Sequence, residues 1–127
     1  MLRAGEDYLE SILQLERAQE RTGVRITDIA RKLGVTKPSV IRAMKQLHAD
    51  GYIEQESYGD IYLTEKGRVK ASQVYHRHSV LTRFFRDVLG VDAGQAEKDA
   101  CLIEHYISSE SMEKLAAFVE AEGGEES

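Results

Sequence analysis

Apolar residues recur at three- and four-residue intervals along most of this chain, so helices dominate its predicted structure. From Glu6 to about Arg21, Tyr8, Leu9, Ile12, Leu13 and Leu15 mark an amphipathic helix opened by acids, with Gly23 as its expected stop. Thr27 is expected to cap a short helix with Ile29, Ala30 and Leu33 inward, ended by Gly34 at a sharp turn. Thr36 is expected to cap the next helix, with Pro38 in its first turn and Val40, Ile41, Met44 and Leu47 on its inner face, before Asp50 and Gly51 break it. Two short helices across a glycine turn are the helix-turn-helix pattern.

The period then changes. Residues 52–56 and 61–63 are β-rich and flank Ser57-Tyr58-Gly59-Asp60, which predicts a hairpin wing. Thr64 is expected to cap a long helix reaching about Leu89, with the stripe Val74, His78, Leu81, Phe85 and Val88 apolar except at His78. Gly90 and the Val91-Asp92 turn end it. A helix over 93–107 places Ala96, Ala100, Ile103 and Ile107 on one side, and a last helix from about Ser111 turns Met112, Leu115, Ala116 and Val119 inward. The tail GGEES is expected to fray.

Composition bounds the class. With 127 residues, 42% apolar and 31% charged, the chain has enough apolar surface for a core without disulfides. Its single Cys101 fits a reducing compartment, no apolar run reaches membrane-spanning length, and the start MLRAGEDYLE is too acidic for a signal peptide. A cytoplasmic, unanchored protein is expected.

The net charge of −5 argues at first against a nucleic-acid partner, but it hides an asymmetry. Residues 24–50 carry a net +4, and residues 92–127 a net −8. Such a split points to one surface for a polyanion and another for cations.

In a helix-turn-helix the second helix enters the major groove. Thr36, Ser39, Arg42 and Lys45 fall on the outer side of that helix, opposite Val40, Met44 and Leu47. Ser39 and Pro38 are candidates to touch bases, while Lys37, Arg42 and Lys45 suit phosphates. Arg25 and the wing's Tyr58 are candidate backbone contacts; the wing tip has no Lys or Arg. Double-stranded operator DNA is the expected partner, and half-site matching makes a homodimer the expected form. Phe84, Phe85, Val88 and Leu89 offer apolar surface for that dimer or for the core.

The acidic half carries a metal-ligand pattern. Cys101, Glu104 and His105 stand at i, i+3 and i+4, within one sector of a helix and beside an apolar seam, so partly enclosed side chains are expected. Asp7 and Glu10 share a face of the first helix, and His78 interrupts an apolar stripe while His76 points elsewhere. Each alone has an ordinary reading: first-turn acids, a hydrogen-bonded core histidine, a small buried thiol. Together they form a mixed N, O and S donor set suited to a first-row transition ion and unsuited to calcium or magnesium. A Cys101–His105 enzyme is not expected, because no oxyanion donors or substrate pocket accompany the pair.

The segments EDYLESI, VRITDIARKLGVTKPSV, the wing with LTEKG, HRHSVLTRFF and LGVDAGQAEKDACLIEHYIS, in that order over about residues 6–118, resemble the DtxR/MntR family of metal-dependent transcriptional repressors. The resemblance implies a homodimer that binds operator DNA of metal-uptake and homeostasis genes when Mn2+ or Fe2+ is bound. It places ligands at Asp7, Glu10, His78, Cys101, Glu104 and His105. The manganese branch usually has a carboxylate at the position of Cys101, and the iron branch a Met at that of Asp7. Thr82 and Glu97 stand where the iron branch's ancillary site has Glu and His. The compact manganese-type layout, without an SH3-like domain, is therefore expected. One or two metals per subunit are expected; if two, they share Glu104 and His105, with Glu10 and His78 mainly on the second and Asp7 and Cys101 on the first.

The expected fold is mainly α: a winged helix-turn-helix DNA-binding domain over residues 1–73, then a helical metal-binding and dimerisation domain over 74–127. The alternative function is a winged-helix regulator not controlled by metal, distinguished by metal-insensitive operator affinity.

Overall fold

The structure, a computed structural model, describes residues 3–57 and 59–123. The wing-tip Tyr58 and residues 124–127 of the GGEES tail lie outside the described residues. The fold is mainly helical, with a two-stranded wing, and the chain divides into two compact units, 1–73 and 74–127.

In the first unit, α1 (Arg3–Gln19) buries Leu9, Ile12 and Leu13 and packs on α2 (Ile26–Leu33) and α3 (Lys37–Ala49). Its end comes earlier than the expected Gly23, because Glu20 turns left-handed at φ 58°. Arg25, and not Thr27, holds the N-cap of α2 in extended geometry, without a side-chain cap bond. Gly34 ends α2 at φ 67°, a conformation that costs glycine nothing. Thr36 caps α3 by accepting from the Ser39 amide at 3.3 Å. Val40, Met44 and Leu47 are buried, whereas Ile41 is 42% exposed. Ile41 follows Val40 by one residue, about 100° around the axis, and so falls outside the buried arc.

The wing pairs β1 (Ile53–Gln55) with β2 (Ile61–Leu63) antiparallel, Ile53 opposite Leu63. Val24 adds a bridge to Ile61, which ties the wing to the segment before α2.

Helix α4 (Glu65–Arg83) starts under a cap from Thr64, whose Oγ1 accepts from the Gly67 amide at 3.0 Å. Its early turns are braced to α1 by charge. Arg68 forks onto Glu16, Nη1 to Oε1 at 2.9 Å and Nη2 to Oε2 at 3.2 Å, and this hydrogen bond holds the Arg68 guanidinium above its ordinary pKa. Lys70 Nζ lies 3.4 Å from Glu6. Glu6 and Glu16 are both buried, so these cations compensate carboxylates removed from water.

The second unit has its core in Val80, Leu81, Ala100, Met112 and Val119, with Phe84, Phe85, Ile107, Leu115 and Ala116 packed against it. The predicted stripe down α4 fails at its end. Residues Phe84–Val88 form a π turn, whose extra residue per turn rotates the end of the segment about its axis, and Val88 emerges 37% exposed. Gly90 closes the segment in the left-handed region.

Helix α5 (Ala93–Ile103), capped by Asp92, stops four residues short of Ile107. Ala96 and Ala100 face inward as expected, but Ile103, the last residue of the helix, is 37% exposed. Helix α6 (Ser109–Gly123) begins earlier than Ser111, since Ser108 accepts from the Ser111 amide at 3.1 Å. Among the described residues no helix is long and apolar enough to cross a membrane.

Candidate metal centre and nucleic-acid interface

In the second unit α4 supplies His78 and the end of α5 supplies Cys101, Glu104 and His105. Glu104 caps α5 with helical dihedrals (φ −56°, ψ −26°), so the three-residue step from Cys101 keeps both side chains on one side although the helix is ending. His78 Nδ1 lies 2.7 Å from Glu104 Oε1 and 3.7 Å from Cys101 Sγ. One donor atom from each of His78, Cys101 and Glu104 falls within a span of 4.8 Å.

Burial sharpens this cluster. Glu104 is 1% exposed and its Oε2 has no hydrogen-bond partner. His105 Nε2 stands 3.6 Å from that oxygen, too far for a good hydrogen bond. A buried carboxylate oxygen without a donor is costly, and a cation is the ligand that relieves it. Donors to a first-row divalent ion sit about 2.0–2.3 Å from it, hence up to about 4.5 Å from each other. The cluster therefore fits such an ion after small side-chain shifts.

Cys101 is exposed as a residue, and its contact with His78 is part-buried. Its short side chain leaves the thiol at the solvent edge of the cluster, whereas the Glu104 and His105 side chains are 1% and 2% exposed. His76 is exposed on α4. Glu97, outside the expected ligand set, also reaches the cluster, its Oε2 lying 3.6 Å from His78 Nε2. The available signal was its place one turn before Cys101 on the same helix face.

Asp7 and Glu10 lie on α1, in the first unit. Asp7 is half-buried and pairs with Arg3 at 3.9 Å, and Glu10 is buried with Gln14 donating to it at 3.4 Å.

Helix α3 presents its basic face to solvent. Thr36, Lys37, Pro38, Arg42 and Lys45 are exposed and Ser39 half-buried. Thr36 Oγ1 donates to Ser39 Oγ at 2.9 Å, and Arg42 Nη2 donates to the same atom at 3.2 Å, so these polar groups stand together at the start of α3. Arg25 is exposed beside Asp28 at 3.8 Å. The wing carries Glu54 and Glu56 exposed and Asp60 half-buried, which gives it an acidic character unlike that of α3.

Two family models match the chain. "Iron dependent repressor, N-terminal DNA binding domain" covers residues 1–61, and "Iron dependent repressor, metal binding and dimerisation domain" covers residues 64–121. An uncharacterized HTH-type transcriptional regulator of Methanocaldococcus jannaschii is 36% identical over 115 residues, 91% of this chain and 91% of that protein. The HTH-type transcriptional regulator MntR of Bacillus subtilis (strain 168) is 34% identical over 115 residues, 91% of this chain and 79% of that protein. Among solved structures, a manganese-dependent transcriptional repressor in complex with manganese is similar with a TM-score of 0.80 at 26% identity, over 91% of this chain and 52% of that one. The manganese regulator SloR is similar with a TM-score of 0.78 at 27% identity, over 91% of this chain and 53% of that one. The chain thus spans about half the length of these solved regulators.

Proposed function

We propose, because this chain belongs to the DtxR/MntR family of metal-dependent transcriptional repressors, that it is a cytoplasmic homodimeric repressor of metal-uptake and homeostasis genes, with Mn2+ or Fe2+ as its corepressor. Residues 1–73 bind operator DNA, and residues 74–127 bind metal and dimerise. The ligand set is His78, Cys101, Glu104 and His105, joined by Asp7 and Glu10 on the strength of the family resemblance, for one or two ions per subunit. Imidazole, thiolate and carboxylate together favour a first-row transition ion over magnesium or calcium. Thr36, Lys37, Pro38, Ser39, Arg42 and Lys45 meet DNA, with Arg25 on the backbone.

The observation that carries the metal reading is the buried, unpartnered Oε2 of Glu104 beside two histidines and a thiol. When bound, a divalent cation supplies the positive charge this donor set lacks. The residues' own part is to hold their donors close: Glu104 keeps His78 in place through Oε1 and leaves Oε2 for the ion.

Anaerobic calorimetric titration of the metal-free protein with Mn2+, Fe2+ and, as a control, Mg2+ tests this. Saturable binding of one or two transition ions per chain, with none for Mg2+ and none in Glu104→Gln, is expected. Absence of transition-ion binding overturns the reading and leaves a winged-helix regulator not controlled by metal.

A further inference from the structure

The first unit holds a cleft of about 620 Å³ lined by the start of α1, the second half of α3 and the start of α4. Ala43, Gln46, Leu47 and Asp50 stand at i, i+3, i+4 and i+7, so one face of α3 makes its wall. From α1 come Ala4, Gly5 and Tyr8. Ala4, Gly5 and Ala43 carry too little side chain to fill the gap between the two helices, and the space left is of the size of small-molecule sites, about 300–1,000 Å³. None of the lining residues belongs to the His78 cluster or to the residues proposed to meet DNA.

The cleft has donors to spare. Tyr8 is 9% exposed, and its hydroxyl has no hydrogen-bond partner among the described residues, although a buried phenol usually finds one. Lys66 Nζ donates to the Asp50 carbonyl at 2.7 Å and lies 4.4 Å from the centre of the Tyr52 ring. An ammonium has three hydrogens, so further donors remain, and among the described residues no carboxylate pairs with it. The Asp50 carboxylate, by contrast, is engaged: Gln46 Nε2 donates to its two oxygens at 3.2 and 3.1 Å. A cationic ligand would have to share the cleft with the Lys66 ammonium, whereas an anionic one gains a charge-assisted bond from it. The remaining wall, with Tyr8, Leu47 and Tyr52, is apolar and aromatic.

We propose that this cleft binds a small aromatic carboxylate, its carboxylate on the Lys66 ammonium and the Tyr8 hydroxyl and its ring against Ala43 and Leu47. Lys66 is exposed, so its replacement leaves the core intact. Lys66→Met keeps the aliphatic stem over Tyr52 and removes the charge; Tyr8→Phe keeps the ring and removes only the hydroxyl.

The test is a titration of the full-length protein with 2-naphthoate, followed in its amide NMR spectrum, with the neutral 2-naphthalenemethanol and the cationic 2-naphthylmethylamine as controls. Saturable shifts centred on Gly5, Ala43 and Tyr52 are expected, with a Kd of about 1 mM or below. The two controls and Lys66→Met should each bind at least about tenfold more weakly, the loss typical of a hydrogen bond to a charged group, and Tyr8→Phe about three- to tenfold more weakly. Absence of a saturable shift overturns the proposal. So does equal affinity for the three ligands, or for wild type and Lys66→Met, because either means that the carboxylate is not recognised. Shifts centred on Lys37, Arg42 and Lys45 overturn it as well, since they mark an anion held by the basic face of α3.

Discussion

His78 and Glu104 meet at 2.7 Å between Nδ1 and Oε1, and this contact satisfies one oxygen of a carboxylate whose other oxygen, equally buried, has no donor. Glu104→Gln keeps the volume and a hydrogen-bonding amide at His78 while removing the charge. Its metal-free stability is expected to lie within about 1 kcal/mol of wild type. Mn2+ at about 100 times its Kd should stabilise the wild type by about 2.7 kcal/mol and leave the variant unmoved. Thermal denaturation with and without Mn2+ measures both.

The brace between α1 and α4 gives a second expectation. Arg68→Ala strands the Glu16 carboxylate, 6% exposed, without its bidentate partner. Loss of one member of a fully buried pair costs about 3–5 kcal/mol. The Arg68 side chain is itself 42% exposed, so water recovers part of that cost and about 2 kcal/mol is expected. Urea denaturation at neutral pH reads the value, and a change below about 0.5 kcal/mol marks the pair as ornamental.

Gly67 reverses a general rule. In an open helix, Gly→Ala stabilises by about 0.5–1 kcal/mol. Here the added methyl would meet the Tyr52 carbonyl oxygen at 1.9 Å, against backbone that cannot turn aside. Gly67→Ala is expected to destabilise by about 3 kcal/mol, the upper end of typical overpacking costs. A neutral or stabilised variant in a chemical melt contradicts the close approach of α4 to the wing entry.

On the reading face, charge and cap separate cleanly. Arg42→Ala and Lys45→Ala should each weaken DNA binding and lower the slope of log affinity against log salt by about one, without changing the fold. Thr36→Ala should cost about 1 kcal/mol of stability as well, since Thr36 caps α3. Anisotropy over a salt series and a melt of each variant distinguish the two effects.

The elements were legible where a local signal fixed them. Thr36, Pro38 and Gly34 are cap and turn residues whose geometry is set by their own chemistry, and the structure places all three as the sequence predicts. The cap of α2 is an exception, with Arg25 where Thr27 is expected, and the other differences lie where a face is extended by counting residues. Ile41, Val88 and Ile103 are apolar and near the right spacing, yet emerge from the surface because a buried arc is narrow, a π turn adds a residue, or a helix ends early. The metal cluster was legible as donor types at helical spacing. The orphaned Glu104 oxygen, the nearness of Glu97 to His78 and the clash that forbids a side chain at Gly67 were not, because each depends on what another segment places opposite.

One equilibrium measurement tests metal control of DNA affinity directly: anisotropy of a selected duplex titrated with wild-type protein in Mn2+, then in chelator. Affinity should be about 5- to 150-fold higher with Mn2+, the range of ordinary coupling free energies, and should fall back when the metal is removed. Equal affinity in the two conditions contradicts the account.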